Sequence, residues 1–598
     1  NSIASGGNYN TVIGDEAGTA LTTGDNNVAV GFEALKTEDA NGNSVAIGYR
    51  ALKVQNAGAE AYNVAIGVDA GTAITTGTAN TFVGGLAGDA TDDGTNNTAM
   101  GYLALSANCG NDNVAIGKSS LQVATGGGNV AVGKDSGLSV TSGELNTIIG
   151  SLAGDALTTG SSNVAIGYAA LSTEDTHNFN TAVGAGALQT LNAGANAYNT
   201  AVGYNAGNAA TTGAENTLIG GLAGDAMTVG TENVAVGYHA LSGDVGGRAG
   251  TAVGKNSLGA QNLGSSVTYS HNSGFGYNTG ASITTGVENT LIGSLAGDAL
   301  TDADHNVAVG SYALTGDTLG SRSVAVGHGT LTSQNFTTAT NAYNVAMGYI
   351  AGNAITTGTE NTLIGSQAGP VLTTGTTNVA LGSQALKVDT AGNNSIAIGY
   401  GALKTQNFTT STSAMNIAIG YDAGLLITTG VENTLIGGNA GDALTDADDN
   451  TAVGYQALSA CTVGSRNVAI GSGSLFAANP ASALSQDNTA IGFNSGAEIT
   501  TGRYNTCLGN RAGLTLTTGD DNTLVGTGNN TSATGANNQI VIGAGIAATG
   551  DNTFNFGKAS NVVTNTFTSN ASFSRSSDVH KKTNIEDDTL GLDFINDL

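Results

Sequence analysis

The chain has 598 residues, of which 17 are basic and 45 acidic, and its formal net charge is −28. Such an acidic chain disfavours nucleic acids and anionic membranes as partners. Glycine accounts for 92 residues and proline for only 2. Because glycine has no period of three and aliphatic residues are plentiful, the composition argues against collagen and against disorder.

A five-residue phrase, Asn-[Thr/Val]-x-[Ile/Val]-Gly, recurs along most of the sequence. Its last residue, which we call the repeat glycine, occurs in 32 copies from Gly14 to Gly557, and 22 of the 31 intervals are 17 residues long. A fixed short period of this kind is typical of a solenoid, in which each coil is buried by its neighbours. The sequence therefore predicts an all-β protein, a parallel β-solenoid or β-roll of about 32 coils.

Each copy has the period of a β-strand. Bulky residues alternate with a residue that is often alanine, as in residues 361–365, which predicts a strand with one bulky and one small face. We expect the repeat glycine at a corner with positive φ or close backbone approach, and the asparagines stacked in a side-chain ladder. The Leu-Thr-Thr-Gly segments, such as residues 157–160, predict a second short strand.

Two further positions follow the repeat glycine at fixed distances. Three residues after it stands alanine, serine or threonine in 30 of 32 copies, which we interpret as close approach to another backbone. Four residues after it, two glycines alternate with two leucines, as in Gly18, Leu35, Leu52 and Gly71, so the unit is four coils. The later units are 72 residues long, and their extra residues form loops such as 334–344 and 405–416.

The rhythm of the repeat decays towards the C-terminus. We divide the chain into a solenoid shaft (residues 1–557), a closing β segment (558–576) and a C-terminal segment (577–598). No apolar run approaches the ~20 residues of a membrane span, so we expect no membrane insertion. The chain begins at Asn1 inside a repeat-like phrase, from which we expect a fragment or a processed product.

The repeats NNVAVG, NSVAIG and YNVAMG (residues 26–31, 43–48 and 343–348) resemble the head repeats of trimeric autotransporter adhesins. Those heads are trimeric left-handed parallel β-rolls with two short strands per coil. The resemblance covers nearly the whole chain and implies a homotrimer. The thin core of a short coil and the strictly small positions also suggest that three chains press together.

A second resemblance lies in the C-terminal segment. The sequence SDVHKKTNI (residues 577–585) is similar to the opening of the intramolecular chaperone domain of phage tailspikes and tail fibres. That domain trimerises the fibre and then cuts itself off. The resemblance implies cleavage between Ser577 and Asp578, with Ser577 as nucleophile and Lys582 as its activator. Residues 577–598 would then be the incomplete start of such a domain.

Other candidate sites have weaker support. The acidic turns 301–306 and 445–450 lack the spacing of calcium-binding β-rolls, so solvated corners are favoured. Adjacent threonines point to opposite faces, which disfavours ice binding. The cysteines and histidines lack metal-ligand spacing, and we predict no metal, no cofactor and no enzyme activity beyond self-cleavage. The loop aromatics Phe336, Tyr343 and Phe408 are candidate receptor contacts, although packing on the roll is favoured.

The pattern as a whole predicts a structural viral protein. We expect the shaft of a phage tail fibre or spike, located in the virion, that attaches to the host through many weak contacts. Its expected partners are two further copies of the chain, a host receptor or glycan, and other virion tail proteins. The alternative is a trimeric adhesin on the bacterial surface, but the chain ends in NDL without heptads, which favours the virion. A glycan-cleaving spike would need paired carboxylates in a groove, which thin coils disfavour.

Overall fold

The structure is a computed structural model that describes residues 6–567 and the short strand Ser574–Arg575. Within these ranges the chain forms short β-strands joined by turns and contains no helix. The chain divides into two compact units, which we describe separately. Unit 1 comprises Asn1–Ser323 with Asn335–Asn341, and unit 2 comprises Val324–Gln334 with Ala342–Leu598.

Each unit is a parallel β-solenoid in which every coil contributes one short strand at its repeat glycine. The strands of unit 1 are β1 (Thr11–Ile13), β2 (Val28–Val30), β3 (Val45–Ile47), β4 (Val64–Ile66), β5 (Thr81–Val83), β6 (Thr98–Met100), β7 (Val114–Ile116), β8 (Val130–Val132), β9 (Thr147–Ile149), β10 (Val164–Ile166), β11 (Thr181–Val183), β12 (Thr200–Val202), β13 (Thr217–Ile219), β14 (Val234–Val236), β15 (Gly247–Arg248), β16 (Thr251–Val253), β17 (Thr268–Tyr269), β18 (Ser273–Phe275), β19 (Thr290–Ile292), β20 (Val307–Val309), β21 (Gly320–Ser321) and β23 (Thr340–Asn341). The strands of unit 2 are β22 (Val324–Val326), β24 (Val345–Met347), β25 (Thr362–Ile364), β26 (Val379–Leu381), β27 (Gly392–Asn393), β28 (Ile396–Ile398), β29 (Thr412–Ser413), β30 (Ile417–Ile419), β31 (Thr434–Ile436), β32 (Thr451–Val453), β33 (Gly464–Ser465), β34 (Val468–Ile470), β35 (Leu484–Ser485), β36 (Thr489–Ile491), β37 (Thr506–Leu508), β38 (Thr523–Val525), β39 (Ile540–Ala544), β40 (Thr553–Lys558), β41 (Asn561–Thr566) and β42 (Ser574–Arg575). The predicted all-β parallel solenoid of about 32 turns, with a period of about 17, is confirmed.

Neighbouring coil strands pair in parallel and in register. In unit 1, for example, β10 and β11 pair so that Ala165 lies opposite Ala182 and Ile166 lies opposite Val183. Equivalent residues of successive coils are therefore adjacent, which is the basis of every side-chain ladder described below. Near the end of unit 2 the pairing changes, because β41 is antiparallel to β40 and β42 is antiparallel to β41.

The two faces of each coil strand have opposite environments. In β10 the central Ala165 is buried, whereas Val164 and Ile166 on either side are only half-buried. The central residue of each coil strand thus points into the coil and the residues on either side point out of it, an assignment that the alternation alone does not make. The interior holds alanine at this position in most coils, whereas a large residue such as Ile148 or Leu435 is buried there beside the glycines of its own and the preceding coil.

The repeat glycines turn the chain at a corner, as predicted. Their φ angles lie between +120° and +151°, a region that residues with a side chain rarely adopt. A Cβ atom on Gly437 would also lie 2.6 Å from the carbonyl carbon of Gly454 in the next coil. Both the dihedral angle and the close approach of successive corners therefore require glycine.

The predicted asparagine ladder is also confirmed, and its hydrogen bonds go mainly to the backbone. The Asn63 side-chain oxygen accepts from the Asn80 backbone N–H at 2.8 Å, and Asn80 Nδ2 donates to the Gly94 carbonyl at 2.8 Å. Asn80 Oδ1 in turn accepts from the backbone of Asn97 at 2.9 Å. Asn80 thus satisfies two backbone groups of the following coil, which explains why a nonpolar residue would be costly here.

The second strand predicted at the Leu-Thr-Thr-Gly segments is wrong for most coils. Thr75, in the segment of this kind that ends at Gly77, donates from its backbone to the Asp92 carbonyl at 3.0 Å, but the segment is a bend. Isolated bonds of this kind link the coils without forming a continuous ladder. Two-stranded sheets arise only beside the long loops in the described residues, in the pairs β15–β17, β21–β23, β27–β29 and β33–β35.

The alternation of paired glycines and leucines is explained by packing between coils. The position is left-handed with either residue, with φ at +59° for Gly424 and +49° for Leu403. A Cβ atom on Gly424 would lie 3.0 Å from Leu403 Cδ2 and 2.9 Å from Leu435 Cδ1. The leucine of one coil therefore fills the space that the glycine of the next coil leaves open.

A second inward-pointing position compensates for the difference in volume between the glycine and the leucine. Three residues beyond this glycine the chain carries Ile427 or Leu444, whereas three residues beyond the leucine it carries Asp389 or Gln406. All four side chains are fully buried. In this four-coil unit the coils with glycine thus have a large apolar neighbour and the coils with leucine have a polar one, so the interior stays filled over four coils, whereas a leucine coil of unit 1 carries the apolar Leu191 at this position.

Leu403→Gly tests this complementary packing. We expect it to lower the free energy of unfolding by about 2–3 kcal/mol, because the lost packing outweighs the relief of left-handed strain. Leu426→Gly is the control, since Leu426 lies in the next coil and is exposed, and its cost should stay below about 1 kcal/mol. Equal shifts of the denaturant midpoint in the two variants would contradict the packing explanation.

The strictly small residues three positions after the repeat glycine are buried inside their own chain. Ala402, Ala423 and Ala440 in unit 2 are fully buried, and so is Ala170 at the equivalent position in unit 1. The expectation that these positions mark where three chains press together is therefore wrong. A side chain that is already enclosed by its own coil offers no surface to another chain.

Candidate interaction surface

The outward-pointing residues of the coil strands form an exposed apolar stripe in each unit. We define the outer face as the third residue of each coil strand together with the residue that follows the repeat glycine. In unit 1 the exposed third residues are Ile13, Ile47, Ile66, Met100, Ile149, Val202, Ile219, Phe275 and Ile292. In unit 2 they are Met347, Leu381, Ile470, Ile491 and Ile542.

Aromatic residues extend this outer face on the side of the repeat glycine. The exposed aromatic residues directly after a repeat glycine are Phe32, Tyr49, Tyr102, Tyr168, Tyr204, Tyr238 and Tyr277 in unit 1, and Tyr349, Tyr400, Tyr421, Tyr455 and Phe493 in unit 2. Where two of them belong to successive coils, their rings stack. The ring centroids are 5.3 Å apart for Phe32 and Tyr49 and 5.6 Å apart for Tyr400 and Tyr421.

The many exposed apolar side chains of the outer face are unusual for a free surface, although Lys118, Lys134 and Lys255 interrupt it. Monomeric proteins rarely expose a contiguous apolar patch above a few hundred Å². Here a half-exposed aliphatic side chain and, in many coils, a tyrosine recur in coil after coil of one unit, although the chain as a whole is strongly acidic. Tyrosine combines a large apolar area with a polar tip, which suits an interface. The outer face is therefore the strongest candidate interaction surface among the described residues.

The loop aromatics are placed differently from one another. Phe336 and Phe408 are only 5% and 6% exposed, whereas Tyr343 is 47% exposed. The Phe408 backbone also donates to Asp389 Oδ1 at 3.1 Å, which fixes this loop against its coil. Burial removes Phe336 and Phe408 from the candidate receptor contacts, in agreement with packing on the roll, and leaves Tyr343.

A buried polar network lies beneath these loops. Gln406 Nε2 donates to Asp389 Oδ2 at 2.6 Å and to Ser395 Oγ at 2.9 Å, and Gln406 Oε1 accepts from Asn416 Nδ2 at 2.9 Å. The network thus joins the polar residue of a leucine coil to the asparagine ladder. An equivalent set in unit 1 contains Asp244. Sequence reasoning missed it, although the Asp and Gln recur at a fixed offset from the leucines.

The buried carboxylates predict an unusual pH dependence. Burial raises the pKa of Asp244 and Asp389 above the ordinary value of 3.8, and the hydrogen bonds from glutamine oppose this only in part. The folded chain therefore holds these protons more tightly than the unfolded chain, so stability should rise as the pH falls from neutrality through the raised pKa of these carboxyl groups towards 3.8. Denaturant unfolding across this range measures the effect. Asp389→Asn should reduce the slope, and an unchanged slope would contradict this assignment.

The three cysteines are placed as fillers of the core. Cys109, Cys461 and Cys507 are free and buried, and burial raises the pKa of the Cys461 and Cys507 thiols to about 12. A thiol with so high a pKa is a poor nucleophile and a poor metal ligand. These residues therefore contribute packing, in agreement with their interpretation from the sequence.

One group of potential metal ligands is present in the described residues, where the sequence led us to expect none. Glu174, Asp175 and His177 each offer a ligand atom, and these atoms lie within 4.8 Å of one another. The sequence signal was the short spacing Glu-Asp-x-His, with histidine at a corner that in other coils is often glycine. It was missed because histidines were compared with one another rather than with neighbouring carboxylates.

The predicted self-processing residues Ser577, Asp578 and Lys582 lie outside the residues that the structure describes.

The acidic turn at residues 301–306 forms a bend on the coil surface, where Asp304 Oδ1 accepts from the Val287 backbone at 2.8 Å and Asp302 Oδ1 accepts from Thr285 Oγ1 at 2.5 Å. These carboxylates thus act as links between coils. In the part of the chain that is described, no helix has the length and apolarity needed to cross a membrane.

Comparison of the chain with models of known protein families gives no match, and neither does comparison with curated proteins.

Proposed function

We propose that the chain is the structural shaft of a homotrimeric fibre, specifically a phage tail fibre or spike that serves host attachment. The outer face is the observation that supports this proposal most directly. It repeats with the coils along each unit, so a partner that covers it must repeat with the same period. A second and a third copy of the same chain meet this requirement without any further component.

The proposal assigns three chains rather than two because of the resemblance to trimeric autotransporter heads. A three-fold axis lets each chain turn one apolar face towards a common centre. The aliphatic third residues would then pack around the axis, and the tyrosines beside them would keep their hydroxyl groups near the rim. In this arrangement the outer face becomes the core of the trimer, and the acidic surface of each coil remains in water.

The proposed role in host attachment is mechanical and multivalent, and it needs no catalytic site in the shaft. Three chains would present the same loops several times, so weak contacts add up through avidity. Expected partners are a host receptor or glycan and other tail proteins of the virion. Exposed loop residues such as Tyr343 are the candidate contacts.

The proposal includes self-processing between Ser577 and Asp578, on the strength of the resemblance to tailspike chaperone domains. The full product of the gene should then yield a mature chain that ends at Ser577 in an intact-mass spectrum. Ser577→Ala and Lys582→Ala should abolish the cleavage, whereas Ser576→Ala should leave it unchanged. Cleavage that persists in Ser577→Ala would remove this part of the proposal.

A trimeric adhesin on the bacterial surface is the second candidate, supported by the NSVAIG-type repeats. Immunogold labelling distinguishes the two. Antibodies against residues 6–567 should label the tails of purified virions if the proposal is right. Labelling of bacterial cells without any labelling of virions would reject the viral assignment in favour of the adhesin.

A further inference from the structure

The group formed by Glu174, Asp175 and His177 occupies one corner of a coil in unit 1. Glu174 is fully buried, and its Oε1 lies 2.6 Å from His177 Nδ1. The backbone N–H groups of Asp175 and His177 also point to Oε1, at 3.2 Å and 3.3 Å. The carboxylate is therefore held at the centre of the group, and both neighbouring ligands are close to it in sequence and in space.

The backbone around the group is fixed by the coil that precedes it. The His177 carbonyl accepts from Asn163 Nδ2 at 2.9 Å, so the corner is tied to the asparagine ladder. The Asp175 carbonyl accepts from the Thr158 backbone at 2.6 Å and from its hydroxyl at 2.9 Å. Because the backbone that carries these ligands is held by hydrogen bonds, ordering them around an ion costs little conformational entropy.

Another coil of unit 1 provides an internal comparison. Glu38 occupies the position equivalent to Glu174, and Asn41 stands in the place of His177. Asn41 donates to Glu38 Oε1 from its side chain at 3.0 Å, and Gln55 Nε2 donates to Glu38 Oε2 at 3.0 Å. Both carboxylate oxygens of Glu38 therefore have hydrogen-bond donors.

The Glu174 coil lacks one of these donors. Leu191 stands where the Glu38 coil has Gln55, in both cases 17 residues after the glutamate. Leu191 cannot donate a hydrogen bond, and Glu174 Oε2 is buried without any partner. A buried carboxylate oxygen with no donor is costly, so this coil needs a cation or another group that Glu38 does not need.

We propose that Glu174, Asp175 and His177 bind one divalent transition-metal ion of the zinc class. The ion is coordinated by both carboxylates and by an imidazole nitrogen, and it replaces the hydrogen bond between His177 and Glu174. A proton leaves the imidazole if it was protonated, and water completes the coordination sphere. The metal stabilises the Glu174 carboxylate, as the hydrogen bonds from Gln55 and Asn41 stabilise the carboxylate of Glu38.

The donor set selects the class of metal. An imidazole with two carboxylates suits zinc, nickel or cobalt, whereas calcium prefers six or more oxygen ligands. Zinc bonds to nitrogen and oxygen at about 2.0–2.2 Å, so ligand atoms a little over 3 Å apart are required. Atoms that already lie within 4.8 Å of one another reach this arrangement with small side-chain rotations.

Titration calorimetry of the full chain with Zn²⁺ alone tests the proposal, and a parallel titration with Ca²⁺ tests the selectivity. We expect one high-affinity zinc site per chain and no calcium binding at that site. His177→Asn copies the Glu38 coil, so it should fold, and it should weaken zinc binding at least about tenfold. His305→Asn is the matched control, because His305 also lies beside a glutamate, Glu288, but in a pair and at the surface.

A second variant separates metal binding from a merely structural role. Leu191→Gln leaves all three ligands in place but supplies the missing donor to Glu174 Oε2, so it should also weaken zinc binding. Co²⁺ in place of zinc should give visible absorption bands in the wild type that His177→Asn removes. Zinc binding that is unchanged in His177→Asn, or absent from the wild type, would overturn the proposal and leave water or a proton as the partner of Oε2.

Discussion

Gly437→Ala is expected to prevent the coils around it from forming, with a loss of at least about 3 kcal/mol in the free energy of unfolding. The φ angle of Gly437 is +136°, which strains any residue with a side chain. A Cβ atom at this position would also lie 2.6 Å from the carbonyl carbon of Gly454. The neighbouring coil cannot move away, because each coil strand pairs with the next in a fixed register.

The adjacent residue provides the control for this substitution. Gly438 has no positive φ, and a Cβ atom there would lie 3.6 Å from the nearest atom, Tyr455 Cδ2. Gly438→Ala should therefore change the denaturant midpoint and the circular dichroism spectrum very little. If the two substitutions one residue apart had equal effects, the stacking of repeat glycines would not be the constraint that shapes the corner.

Leu381→Glu is expected to dissociate the trimer that we propose while leaving the coil folded. Leu381 is the third residue of β26 and is 42% exposed on the outer face. A glutamate there remains hydrated in a single chain, but in a trimer three carboxylates would face one another near the axis without water. Light scattering coupled to size exclusion should show a threefold fall in mass, with an unchanged circular dichroism spectrum.

Leu426→Glu is the matched control for the oligomeric state. Leu426 is 45% exposed, close to the value for Leu381, but it lies outside the coil strands and is not part of the outer face. The same change in charge at this position should leave the mass unaffected. Loss of the trimer in both variants would indicate a general effect of charge, and retention in both would exclude the outer face as the interface.

Much of the fold was predictable because the repeat interval and the alternation of side chains are visible in short stretches of sequence. The interval between repeat glycines determines the length of a coil, and the alternation within residues 361–365 indicates a strand. The asparagine ladder was predictable for the same reason, since stacking places identical side chains together. The missing second strand was not, because Leu157 and Thr158 have strand-like side chains but only isolated hydrogen bonds between coils.

The packing of the core and the position of the outer face could not be predicted, because they depend on contacts between coils that the sequence of one coil does not reveal. Whether Ala165 or Ile166 points inwards is decided by the space between the walls of the coil, which the alternation does not reveal. The alternation of leucine at position 403 with glycine at position 424 is explained only by the structure, because the Leu403 side chain occupies the space next to Gly424. The alternation does not show that the bulky residues form an outer face, and the spacing of histidines and cysteines does not show that His177 lies beside Glu174.

The association state of the full chain tests the central claim most directly, namely that copies of the same chain cover the outer face. Sedimentation equilibrium at micromolar concentration should give three times the mass of the 58.6 kDa chain. Hydrogen exchange at the coil strands should then be slow along both units. A single-chain mass, with the tyrosines of the outer face freely accessible to iodination, would contradict the account.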